Sequence, residues 1–141
     1  MAMQFRAIRG RIRNLGLKIM LDLHKQLKEI VEELEANEAF GGVAIIRTDG
    51  ALLASNFPKY TLSQEIFAMM GATILGAAKN ITLKSDMGLP SRIIIETSEG
   101  NVVISGIGTK ALLICLVGDC HDPSSLSETM DSVIDRVLKL I

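Results

Sequence analysis

Residues 66–78 read Ile-Phe-Ala-Met-Met-Gly-Ala-Thr-Ile-Leu-Gly-Ala-Ala, thirteen in a row without a charge. They lie in a segment, residues 61–84, that predicts a helix, with Thr61 and Gln64 at capping-box spacing. A surface helix ordinarily buries one stripe and carries charge on the opposite face. Here Ile66, Phe67, Met69, Met70, Ile74 and Leu75 point all round, interleaved with Gly71, Ala72, Gly76, Ala77 and Ala78. A glycine inside a helix costs about 1 kcal/mol against alanine, so two of them imply close backbone approach. A chain of 141 residues has little core in which to sink a helix on every side. One face is therefore expected on the chain's own sheet and the other on a second copy. A membrane span is not expected, because a thirteen-residue window rises only about 20 Å and a span needs roughly 20 residues.

The net charge of −1 hides an asymmetry. Residues 1–19 carry Arg6, Arg9, Arg11, Arg13 and Lys18 with no acid, so the arm is +5 and the remaining 122 residues carry −6. A body of that sign is not built to hold a polyphosphate backbone, and no nucleic-acid partner is expected. With no Trp and one Tyr the chain also lacks stacking platforms. Cys115 and Cys120 stand at Cys-x₄-Cys without a second pair, which is neither a disulfide framework nor a zinc signature. Free thiols and the lack of a visible secretory signal point to a cytoplasmic protein.

Phe5, Ile8, Ile12, Leu15 and Ile19, at spacings of 3, 4, 3 and 4, form a helical stripe in the basic arm, weakened by Gly10 and Gly16. A second amphipathic helix is marked by Leu23, Leu27, Ile30, Val31 and Leu34 and is expected to stop near Phe40-Gly41-Gly42. Residues 43–47 and 51–55 flank Thr48-Asp49-Gly50, a strong hairpin signal, and Asn56-Phe57-Pro58 closes the second strand. After the apolar helix come three strands, residues 92–97, 102–107 and 111–117, joined by short turns. Asp122-Pro123 opens a last helix with Leu126, Met130, Val133, Ile134, Val137 and Leu140 as its buried stripe. The order α-β-β-α-β-β-β-α, with hairpins throughout, predicts an α/β fold of the α+β type. Its five-stranded antiparallel sheet should carry helices on both faces.

That order, the stretch Gly41-Gly-Val-Ala-Ile-Ile-Arg-Thr-Asp-Gly-Ala-Leu-Leu-Ala-Ser55, the small-residue helix and Ser98-Glu-Gly-Asn-Val-Val-Ile104 together resemble the roadblock family. These are the dynein light-chain roadblock proteins and their bacterial and archaeal relatives. The resemblance covers residues 21–141 and leaves 1–20 as a basic N-terminal extension. It implies a profilin/roadblock-like scaffold without catalysis or cofactor that forms a homodimer and binds or regulates partners, often a Ras-like small GTPase or a motor or signalling complex. It also implies a seam formed by the central helix and the first strand of the meander. In this chain these are Ile66, Met69, Met70, Ala72, Thr73, Gly76 and Ala77 with Arg92, Ile94 and Glu96. Strand 92–97 is expected to pair antiparallel with its symmetry mate, since an exposed apolar edge is an aggregation hazard.

Other candidate sites are weaker. Asp119-Cys120-His121-Asp122 has the composition of an active or metal site, yet neighbours in sequence rarely aim at one point. A loop capped by Asp122 is the expectation. Gly106-Ile-Gly108-Thr-Lys110 lacks the spacing of a phosphate loop and is followed by a strand, so it reads as a turn. His24 lies among leucines and lysines on a helix without a partner motif. Met69 and Met70 suit either core filling or an adaptable binding surface. No enzyme and no metal site are expected. The basic arm reads either as a merely solvated extension or as a packed helix. Its packing surface would be another copy, including the Glu-rich face between Glu29 and Glu38 of a neighbouring chain, or an acidic partner, with a membrane surface as the other candidate. The rival to the scaffold is a small-molecule sensor, which needs polar groups converging on an apolar cavity. Only Thr73, Ser105 and Thr109 are offered for that role.

Overall fold

The computed structural model describes residues 2–57 and 63–141, with side chains from Gln4 onward. Thr61, the residue read as the start of a capping box, lies outside the described residues. The elements are α1 (Ala2–Glu35), β1 (Phe40–Arg47), β2 (Leu52–Asn56), α2 (Gln64–Lys84), β3 (Arg92–Thr97), β4 (Gly100–Ile107), β5 (Ala111–Gly118), a 3₁₀ turn (Pro123–Leu126) and α3 (Ser127–Leu138). All strands are antiparallel in the order β2-β1-β5-β4-β3.

Alternation along β1 and β5 sorts the core into two layers. Val43, Ile45, Leu113 and Cys115 face one side, where α1 supplies Leu27, Ile30, Val31 and Leu34 and α3 supplies Met130, Val133 and Val137. Ala44, Ile46, Ile104, Leu112 and Ile114 face the other, under α2. With both faces covered, these strands read as unbroken apolar runs rather than as alternating ones. The hairpin turn follows its sequence signal. Gly50 adopts φ +95°, its amide donates to Arg47 O at 2.9 Å, and Asp49 Oδ1 accepts from Ala51 N at 3.1 Å.

Two boundaries differ from expectation. The two N-terminal helical segments are one continuous helix of 34 residues, about 51 Å long. Neither Gly10 nor Gly16 breaks it, and among the described residues nothing lies within 4 Å of where a Cβ at either would stand. The helix also ends at Glu35, ahead of the glycine pair. Asn37 Oδ1 accepts from Ala39 N at 3.0 Å to turn the chain, and Phe40 is already a buried residue of β1. Gly42 serves the strand instead: a Cβ there would stand 2.6 Å from the Phe57 ring.

Every described side chain from Gln4 to Asp22 is exposed, Leu23 is half-buried, and full burial starts at Leu27. The N-terminal half of α1 thus contributes nothing to the core. Removing residues 1–19 should leave the melting temperature within a few degrees of the full chain, as measured by circular dichroism. A truncated chain that fails to fold would make the arm an integral element.

Candidate partner-binding face

α2 is set on the sheet by its N-terminus. Ser63 is the N-cap, its Oγ accepting from Ile66 N at 3.2 Å. Ser55 Oγ donates to Gln64 Oε1 at 2.5 Å, tying β2 to the first turn. The inward face is Ala68, Gly71 and Leu75. Gly71 is where the backbone comes close: a Cβ would lie 2.0 Å from Ile114 Cδ1. Gly76 is the opposite case, with no neighbour among the described residues within 4 Å of where its Cβ would stand.

At 21 residues α2 is longer than its charge-free window, and by length and apolar composition it is long enough to cross a membrane. The length argument against a span therefore does not hold. On its inner side α2 packs on the sheet, with Leu75 buried and Gly71 pressed on Ile114, while 17% of the apolar window is buried in the single chain.

The outward face of α2 is apolar and bare. Ile66, Met69, Met70, Thr73, Ile74, Gly76 and Ala77 are exposed, and the stripe continues through Ile81, which is 67% accessible. Thr73 does not make it polar, because its Oγ1 donates back to Met69 O at 2.8 Å. Ala72 is turned the other way, half-buried against the protein's own sheet. Met69 also lies against Gly50, so the tip of the first hairpin adjoins the face.

β3 is an edge strand, paired among the described residues with β4 alone. Its side chains divide by parity. Ile93 and Ile95 pack on the α2 side of the sheet, half-buried. Arg92, Ile94 and Glu96 therefore lie on the opposite face from α2. The sequence grouped these three with α2, but the fold brings Ile93 and Ile95 there instead. Three consecutive isoleucines carry no alternation that would reveal the parity.

Arg92 is engaged within the chain. Its guanidinium donates to Ser105 Oγ at 2.9 Å, to Ser127 Oγ at 2.9 Å and to Asp131 Oδ1 at 2.7 Å, clamping β3 and β4 to the start of α3. Ser105 is fully buried. Arg92→Ala should therefore cost about 1–3 kcal/mol, because it leaves a buried hydroxyl without its donor. A chemical-denaturation midpoint equal to wild type would show the clamp to be idle.

The remaining candidates fall apart spatially or resolve as structure. Asp122 caps the 3₁₀ turn, Oδ1 accepting from Ser124 N at 3.1 Å. Hydrogen bonding to Ser124, first from its side chain and then from its backbone amide, holds the carboxyl below the ordinary aspartate range. Because the folded value is the lower one, the capping contribution is present above the unfolded value and is lost as pH falls through the folded one. Among the described residues no three His, Cys, Asp or Glu side chains are grouped to hold a metal. Gly108 is a turn glycine at φ +56°. Thr73, Ser105 and Thr109 do not converge: one is on the outside of α2, one is under Arg92, and one lines a groove beside Lys110. Cys115 is buried, and burial pushes its thiol up to about 12, opposed by the charge of Arg92. Cys120 is exposed. A thiol reagent at mildly alkaline pH should modify Cys120 alone in the native protein and Cys115 only on unfolding. Two native modifications would show that the sheet opens at Cys115.

An antiparallel five-stranded sheet with one helix on one face and two on the other defines a profilin- and roadblock-like α/β sandwich. Solved structures agree with that class. The chain is similar to MglB of Myxococcus xanthus (TM-score 0.77, 11% identity, 84% of this chain and 92% of that one). It is also similar to a Roadblock/LC7 domain of Streptomyces avermitilis (0.71, 15%, 78% and 92%). A profilin of Acanthamoeba castellanii, profilin IA, superimposes less closely (0.59, 13%, 79% and 96%). No protein-family model and no curated protein matches the sequence. The chain has the roadblock fold.

Proposed function

We propose that the protein is a non-catalytic homodimeric scaffold whose α2 faces meet across a two-fold axis, with β3 of one copy beside β3 of the other. The observation that carries this reading is the uncharged outer face of α2 together with the outer edge of β3, which has no strand partner among the described residues. Together they leave apolar side chains and backbone amides without partners in a single chain. Gly76 supports it, since a helix glycine with open space beside it gains nothing inside its own chain. A two-fold contact uses the same patch on both copies, which suits a face built from one helix and one edge strand.

The partner implied by the roadblock resemblance is a Ras-like small GTPase, held or regulated by the dimer in the cytoplasm. The basic arm and the acidic body are separate from the α2 face and remain for other contacts. Affinity capture from lysate loaded with a non-hydrolysable GTP analogue or with GDP tests the partner. Wild type should retain a small GTPase from one of the two, and a dimer-deficient variant should retain less. Equal recovery from both lysates and with both baits would remove the nucleotide-dependent regulator from consideration. Native mass spectrometry separates the scaffold from the small-molecule sensor, since a dimer without retained ligand mass is expected here.

A further inference from the structure

The projecting half of α1 has a pattern that neither the core nor the α2 face uses. Its apolar positions Phe5, Ile8, Ile12, Leu15 and Ile19 repeat every 3.5 residues on average, the period of a coiled-coil seam. All five are between 51% and 66% exposed. In heptad terms Phe5, Ile12 and Ile19 are a positions and Ile8 and Leu15 are d positions. The flanking e and g positions include Arg9, Arg11 and Lys18, and no acid occurs before Asp22.

We propose that this arm docks an amphipathic helix of another protein, one with an apolar a/d seam and acidic flanks. Charge decides against a second copy of the arm, because Arg9, Arg11 and Lys18 of each would face a flank with no acid to answer them. Geometry decides against a bilayer. At about 100° per residue the arm's stripe lies about 70° from Leu27, Ile30, Val31 and Leu34, which face the sheet. The domain therefore stands on the same side as the apolar stripe, and a flat membrane laid on that stripe would meet the domain. A single helix is slender enough to lie there.

The heptad register stops at Ile19, since the next d position is the charged Asp22. Where α1 reaches the domain, Met20, Leu23, Leu53 and Ile141 line an open groove of about 510 Å³ with Arg47 and Lys110 on its wall. Asp49, the acid in this groove, is ion-paired with Arg47. Seam and groove are both apolar along the middle, but beyond the Arg47–Asp49 pair the groove carries only the charge of Lys110.

The test uses the full chain and two designed helical peptides with the same Ile and Leu seam, one flanked by Glu and the other by Lys. Fluorescence anisotropy should show the Glu peptide binding at least tenfold more tightly, with the preference reduced by salt. Ile12→Asp, on a fully exposed turn, should weaken it at least tenfold, and the triple change Arg9→Glu, Arg11→Glu and Lys18→Glu should invert the preference. A variant charged on the α2 face should bind the peptide normally, which separates this inference from the dimer. Equal affinity for both peptides would overturn it, as would indifference to Ile12→Asp. Two other results would overturn it equally. One is assembly of the protein alone beyond a dimer that Ile12→Asp abolishes. The other is arm-dependent binding to phosphatidylserine vesicles with neither peptide bound.

Discussion

Gly71→Val should lower the melting temperature by about 10 °C, while Gly76→Ala leaves the fold intact. The two glycines stand five residues apart on one helix, but only Gly71 has a neighbour where its side chain would be. Ile114 is almost wholly buried beneath it in the centre of the sheet and cannot swing into solvent. Overpacking of this kind costs about 1–3 kcal/mol, and a kilocalorie is worth roughly 4 °C in a domain of this size. Valine would also splay α2 from Ala44 and Ile46, which carry the same layer of the core. An unchanged melting temperature for Gly71→Val would mean that α2 is not seated as described.

Met70→Glu should leave the domain folded and abolish self-association. In a single chain Met70 is half exposed, so a glutamate there meets water. In a two-fold seam the charge is buried twice without a cation to answer it, at a cost of several kcal/mol. About 3 kcal/mol is a hundredfold in dissociation constant. By sedimentation, wild type at micromolar concentration should have twice the 15.3 kDa chain mass and the variant the chain mass itself. Ala72→Lys is the poorer probe, since Ala72 packs partly on its own sheet and a loss of dimer there is confounded with a loss of fold.

Much of this architecture was readable from local signals. Asp49-Gly50 announced the first hairpin, and Asp122-Pro123 announced the start of the last helical segment, because turn and cap chemistry depends on few residues. The lack of charge over residues 66–78 pointed to a helix covered on more than one side, and that helix does present a bare apolar face. What was not readable depended on tertiary neighbours. Gly71 and Gly76 are the same residue in similar surroundings until Ile114 is placed beneath one of them. The parity of Arg92-Ile-Ile-Ile-Glu-Thr97 is set by register with β4, and an isoleucine triplet fits either face. The merger of two helical segments into α1 was hidden by Gly10 and Gly16, whose low propensity argues for a break that the continuous backbone does not make.

In the proposed dimer a second copy covers both the bare helix face and the open strand edge of one chain. Amide hydrogen exchange tests this most directly, comparing wild type with Met70→Glu at one micromolar concentration. Slower exchange in wild type, confined to Arg92–Thr97 and the outer turns of α2, is the predicted result. Identical rates in the two proteins over β3 and α2 would contradict it.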